Sequence, residues 1–179
     1  MSDPKTIDPY FIGYTAGFID GEGCIGLYGG ATSEFVLTLT VGQKDIEPLL
    51  LLEKVWGGTV VNRRGDRTTP DGKLHNAYDF PTWRTNSRIA ARVLQVICPH
   101  LVVKKKKATI ALLFQQSIAD LPNFSFIGIP QEVRLFRQMC KAAIQDPDLD
   151  DDLCTAMQRE LQELLLKHIV AEQTVKLYE

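Results

Sequence analysis

Apolar and polar positions recur along this chain with two different periods, and the switches between them divide it into elements. Asp8 is placed to cap the free N–H groups of a first helix, Pro9 fits its first position, and Gly21 and Gly23 supply the backbone freedom that ends it. Residues 24–28 read as a strand and 29–33 as a turn. Residues 34–41 then alternate with period two, Phe35, Leu37, Leu39 and Val41 on one face and Glu34, Val36, Thr38 and Thr40 on the other. A second helix is predicted after Asp45 as its cap, with Leu49, Leu52, Val55 and Trp56 as the apolar stripe and Gly57-Gly58 as the stop. Strands over 59–64 and roughly 74–83 make a second hairpin around the polar loop 65–73, with Tyr78 and Phe80 inward and His75, Ala77 and Asp79 outward. A third helix starts near 85–87 and ends at Cys98-Pro99, and a fourth covers about 104–118. Two more are expected near 131–145 and 151–173. This order predicts an α+β fold in which helices cover one face of a four-stranded antiparallel sheet.

The first helix has an unusual face. Gly13 and Gly17 are four residues apart with Ala16 beside them, so one stripe carries almost no side chain. Glycine costs a helix interior about 1 kcal/mol relative to alanine, which implies that the backbone must come close to something, most simply a second helix. Glu22 follows at the C-terminal end, where the helix dipole disfavours a carboxylate and a cation is wanted. Two copies crossing at a two-fold axis bring two such carboxylates together, and a metal between them relieves the repulsion. Oxygen ligands with retained waters suit Mg²⁺.

The run Thr15-Ala16-Gly17-Phe18-Ile19-Asp20-Gly21-Glu22-Gly23 resembles the signature of the LAGLIDADG homing endonucleases. Ala16, Gly17, Ile19, Asp20 and Gly23 match it directly, and Glu22 stands as the alternative acid at the metal-binding place. Phe18 and Gly21 are common variants; Thr15 departs from the usual leucine. The motif occurs once, so the chain resembles the single-motif group that works as homodimers, over roughly residues 8–120. The resemblance implies an αββαββα fold whose saddle-shaped antiparallel sheet lies along double-stranded DNA. It implies that Glu22, with the Gly21 carbonyl, holds Mg²⁺, which activates water and stabilises the leaving 3′ oxygen. Both strands would be cut across the minor groove to leave staggered ends. Gln43 matches the family's active-site glutamine, and Lys104 matches a lysine at the start of the corresponding helix, with Lys106 second. The two would position water and neutralise the transition state. Where the family often has an arginine one turn after the glutamine, this chain has Glu47. Gly13, Ala16, Gly17 and Asp20 fall on the implied dimer interface, Asp20 as a cap for the partner helix.

Composition changes the picture in one respect. The net charge is −2, yet residues 54–107 carry 12 basic and 3 acidic side chains between acidic ends. A basic middle is what a phosphate-binding face needs, because the local field matters more than the total. The polar sheet face offers Tyr28, Glu34, Thr38, Thr40, Asn62, Arg64, His75 and Asp79 as DNA contacts, with Arg67 in the loop and Lys106 in the lysine run. A two-stranded ribbon fits the major groove, where arginine suits guanine, asparagine suits adenine, and Glu34 and Asp79 can accept from cytosine. Four consecutive lysines at a helix start oppose its dipole, a local conflict of the kind that clusters at functional sites. The four cysteines show no Cys-x-x-Cys pairing and read as reduced residues of an intracellular protein. No stretch approaches the roughly 20 apolar residues of a membrane span. No phosphate-binding Gly-x-x-x-x-Gly-Lys run exists for nucleotide hydrolysis, and nothing sets Asp20 and Glu22 across one sugar as a glycosidase needs.

The chain therefore divides into a core over 1–120 and a C-terminal helical extension over 121–179 packed upon it. The acidic joint 146–152 lacks the central glycine and spaced glutamate of a calcium loop and reads as helix capping. The expected function is a homodimeric, metal-dependent, sequence-specific DNA endonuclease cutting a long pseudo-palindromic site. The alternative is a non-cleaving nucleic-acid-binding relative, such as an intron maturase or a regulator that keeps only the scaffold. A plain dimerising protein leaves the basic middle without a role.

Overall fold

The computed structural model describes residues 7–29, 35–61, 67–68, 74–75, 80–120, 129–146 and 148–178, the backbone alone at 67–68, 74–75 and 169–178. Helix α1 (Pro9–Glu22) begins as expected, with Asp8 accepting from Tyr10 N at 2.9 Å. It runs through Gly21 and passes directly into strand β1 (Gly23–Tyr28), with no linker between them. The ending does not use left-handed backbone, since Gly23 has φ −81°. Gly23 is needed for space instead: a Cβ there would lie 2.6 Å from Ile19 O and 2.8 Å from Ile19 Cα.

Strand β2 (Val36–Gly42) pairs antiparallel with β1, Gly23 opposite Val41 and Tyr28 opposite Val36. Helix α2 (Glu47–Trp56) starts one residue later than Asp45 as cap predicts; its N-cap is Ile46, with no side-chain hydrogen bond. Pro48 in its first turn already lacks an N–H, which lessens the need for a capping side chain. Gly57 and Gly58 end α2 with φ of 82° and 93°, a conformation that glycine adopts without strain. Strand β3 (Thr59–Val61) follows, then a separate ribbon of β4 (Arg67–Thr68) and β5 (Leu74–His75). The return strand lies later than the alternation predicts, at β6 (Thr82–Asn86). Pro81 cannot donate to a ladder, so pairing begins after it. Phe80 is consequently exposed rather than inward, and Trp83 and Thr85 fill the core side. The four-stranded sheet has the order β1-β2-β6-β3.

Helix α3 (Ser87–Ile97) follows β6 without a loop, and Ser87 takes φ 48° at that switch. A 3₁₀ turn at Cys98–His100 leads to α4 (Lys105–Ala119). Two further helices, α5 (Gln131–Gln145) and α6 (Asp151–Tyr178), lie where periodicity places them, α6 being longer. Helix α5 packs on α4 and β1, and α6 packs on α4 and α5. Phe136, Cys140, Met157 and Leu161 join the same buried cluster as Ile19, Leu39, Trp56, Trp83 and Phe114. Arg137 is buried too, donating to Ser117 Oγ at 3.3 Å and Ser117 O at 3.0 Å.

Thr15 explains its own departure from the signature. Its hydroxyl donates to Phe11 O at 2.8 Å and accepts from Trp56 Nε1 at 3.1 Å, and both Thr15 and Trp56 are fully buried. A leucine there would strand the indole N–H in the core, so this pair fixes α1 against α2.

Candidate active site and nucleic-acid interface

Helix α1 has two sides. Thr15, Ala16 and Ile19 face this chain's own core, whereas Tyr10, Gly13, Tyr14, Gly17 and Gly21 face outward. A Cβ added at Gly13, Gly17 or Gly21 meets nothing within 4 Å among the described residues. The bare stripe is therefore real and open. Ala16 is not part of it, being 1% exposed: a helical step of three from Gly13 carries it over the core edge of the helix.

Glu22 ends the outward side as an exposed residue. Beside it, the last turn of α1 and the start of α4 hold each other reciprocally. Both Asp20 carboxylate oxygens are used, Oδ2 accepting from Val102 N at 2.6 Å and Oδ1 from Lys104 N at 2.9 Å. Asp20 thus caps a segment of its own chain. The Lys104 side chain returns to α1, with Nζ donating to Ile19 O at 3.0 Å, to Asp20 O, and to Gly21 O at 3.5 Å. Lys104 is thus the member of the lysine run at the α1 terminus, and its ammonium offsets the negative end of that helix dipole. Lys106 lies 3.9 Å from Asp151 at the start of α6.

The register that sets Gly23 opposite Val41 brings Gln43 to the Glu22 end of the sheet. Its amide oxygen accepts from Lys44 N at 2.7 Å, and its own N–H bonds Pro81 O at 3.1 Å. Glu47 stands in the first turn of α2, where a carboxylate suits the dipole.

Pairing defines the outer face of the sheet. Cys24, Thr40, Arg84 and Thr59 form one cross-strand row, and Gly26, Thr38 and Asn86 form the next. Tyr28 is exposed and bends back, so that a Cβ on Gly26 would lie 2.6 Å from its ring, and its hydroxyl is 3.6 Å from Cys24 Sγ. Thr38 lies opposite that crowded Gly26 and is 1% exposed, with its hydroxyl unpaired among the described residues. Thr38 is therefore covered in this conformation, and Thr40 is half-buried. Arg67 and His75 are backbone register partners in the β4–β5 ribbon, and their side chains lie outside the description. Glu34, Asn62, Arg64, Ala77, Tyr78 and Asp79 lie outside the described residues. Sequence reading missed Arg84 and Asn86, because the late start of β6 inverts which of its residues face outward, and it missed Thr59 of β3, whose face is set by its pairing with Arg84.

No family model and no curated protein matches the sequence. Solved structures do. The homing endonuclease I-CvuI in complex with its target, in the presence of 2 mM Ca, matches over 87% of this chain and 94% of its own, at TM-score 0.55 and 20% identity. The archaeal intron-encoded homing endonuclease I-Vdi141I, complexed with DNA, matches over 87% and 92%, at 0.51 and 14%. This chain has the LAGLIDADG homing-endonuclease fold. A third LAGLIDADG structure, the meganuclease I-CpaMI bound to uncleaved DNA, matches 84% of this chain but 49% of its own, at 0.54 and 20%. Within the LAGLIDADG fold, the signature stretch of this chain is α1 with its junction into β1.

The donor set available to a metal at that junction is oxygen only: the Glu22 carboxylate and the Gly21 carbonyl. Among the described residues no group of three or more His, Cys, Asp or Glu converges. Both are hard oxygen donors, the donor class that a divalent cation such as Mg²⁺ takes. Elsewhere, burial pushes the Cys140 thiol up to about 12, and burial followed by the Asp151 charge raises Cys154. Both are core thiols away from this junction. No helix among the described residues is long and apolar enough to cross a membrane.

Proposed function

We propose that this chain is a sequence-specific DNA endonuclease that acts as a homodimer with a divalent metal, making a staggered double-strand break in a long pseudo-palindromic site. The observation that carries the reading is the open glycine stripe of α1, Gly13, Gly17 and Gly21, running to an exposed Glu22 with Lys104 folded beside it. A bare helix face with no cover from its own chain suits a second copy of the same helix at a two-fold axis. That contact brings two Glu22 carboxylates together over one pair of phosphates. The match covers 49% of I-CpaMI, which leaves that chain room for a second unit of this size.

Glu22 and the Gly21 carbonyl would hold Mg²⁺, which lowers the pKa of bound water and stabilises charge on the scissile phosphate. Gln43 has its amide oxygen engaged, so its NH₂ is the end that can orient the attacking water. That water's oxygen bonds to phosphorus as the bond to the 3′ oxygen breaks, and Lys104 offsets the charge that builds up. The outer sheet face, through Tyr28, Thr40, Arg84 and Asn86, would read base edges in the major groove, with the Arg67–His75 ribbon and Lys106 on the flanks. Helices α5 and α6 would brace α4 and thereby the Lys104 end of the site.

The test is selection of cleaved sites from a random DNA library with Mg²⁺, beside Glu22→Gln. The expected result is defined staggered cuts by the parent chain, and binding without cutting by the variant. Equal cutting rates remove Glu22 from the chemistry; salt-dependent binding without any cleavage by the parent favours the scaffold-only relative.

A further inference from the structure

We propose that the Lys104 ammonium is the resident cation at the carbonyl end of α1, and that it must be released before Gly21 O and Glu22 can hold a divalent metal. The inference rests on the reading of those two residues as metal ligands. Gly23 N still bonds Ile19 O, but the chain leaves the helix at Gly23, so the Asp20 and Gly21 carbonyls after it receive no further helical N–H. Lys104 Nζ reaches three in succession, Ile19 O at 3.0 Å, Asp20 O, and Gly21 O at 3.5 Å. An ammonium has three donors and no acceptor, so this one is committed wholly to that turn.

The arrangement is built at both ends of the residue. Asp20 fixes the backbone of Lys104 with one carboxylate oxygen, at 2.9 Å, and that of Val102 with the other, at 2.6 Å. The same turn therefore anchors the root of the side chain and accepts its tip. Mg²⁺ binds oxygen at about 2.0–2.1 Å. With Nζ at 3.5 Å from Gly21 O, a metal on that carbonyl stands no more than about 5.6 Å from the ammonium. Like charges at this range repel strongly in a partly buried setting. Lys104 thus serves two positions in turn: it neutralises the carbonyl end before the metal arrives, and it is free for a phosphate oxygen afterwards.

The experiment is a Mn²⁺ titration of the full chain without DNA, followed by electron paramagnetic resonance. It compares the parent with Lys104→Met, Lys104→Gln, Lys105→Met and Glu22→Gln. The expected result is binding about tenfold tighter in both Lys104 variants, a scale set by removal of one nearby charge. Lys104→Gln keeps an NH₂ donor and guards against a packing defect in Lys104→Met. Lys105→Met removes an exposed charge from the same run and should change affinity by less than about twofold. Unchanged or weaker binding in the Lys104 variants, or an equal gain in Lys105→Met, overturns the inference while loss of binding in Glu22→Gln keeps the metal assignment. Binding unaffected by Glu22→Gln, or absent throughout, overturns that assignment and the inference with it.

Discussion

Thr15→Val preserves the shape of a fully buried side chain and deletes a single oxygen. That oxygen donates to Phe11 O at 2.8 Å and accepts from Trp56 Nε1 at 3.1 Å. Losing the first bond matters little, because a helical carbonyl is already served by its own ladder. Losing the second leaves an indole N–H unpaired beside a side chain with 0% exposure, which costs about 1–3 kcal/mol. For a domain of this size each kcal/mol lowers Tm by about 2–4 °C. The clean measurement is a double-mutant cycle with Trp56→Phe in urea unfolding, at one fixed protein concentration because self-association shifts the midpoint. Trp56→Phe should cost less in the Thr15→Val background than in the parent, with a coupling of about 1 kcal/mol. Strictly additive losses would show that the bond does not register α1 against α2, and the account of Thr15 fails.

Gly17→Leu adds a side chain where this chain has nothing within 4 Å, and it improves helix propensity by about 1 kcal/mol. It should leave the folded monomer intact while light scattering reports loss of the dimer; a variant that still dimerises rejects the glycine stripe as the interface. Gly23→Ala forces a Cβ to 2.6 Å from Ile19 O and should destabilise by about 1–3 kcal/mol in chemical denaturation. Arg84→Ala should weaken binding to the selected site by about 1–3 kcal/mol and relax preference at one base pair, read by competition with single-substituted duplexes. Cys140, raised from 9.0 to about 12, keeps its proton in the fold, so its contribution is complete below about pH 9 and is lost as pH rises towards 12. Native thiol labelling at pH 8 should therefore spare Cys140 and modify the exposed Cys24 first.

Long, strongly patterned elements were legible. The cap at Asp8, the double glycine after Trp56, the alternation of β2 and the periodicity of α3 to α6 each follow from local rules that tertiary contacts reinforce. The end of α1 was placed correctly for a different reason, since Gly23 serves close approach rather than backbone freedom. Register was the weaker point. Tyr78 and Phe80 resembled a strand, but Pro81 shifts pairing to 82–86, and one step along a strand moves every side chain to the other face. Thr38 shows the same limit: period two gives its face, not the ring of Tyr28 folded over the neighbouring Gly26. Lys104 was singled out from the run of four by its match to the family's lysine at the start of the corresponding helix. Its bond to α1 joins residues 85 apart and is written in no local pattern.

The direct passage from α1 into β1 has a consequence for any change of DNA target. Glu22 and Cys24, the first outward side chain of the sheet, are separated by a single residue that has no room for a Cβ. Under the proposed function, the metal-holding acid and the base-reading face would therefore share one covalent ruler with no slack. In that reading, altered side chains on the sheet would choose a new sequence, but the cut would fall at the same offset from it.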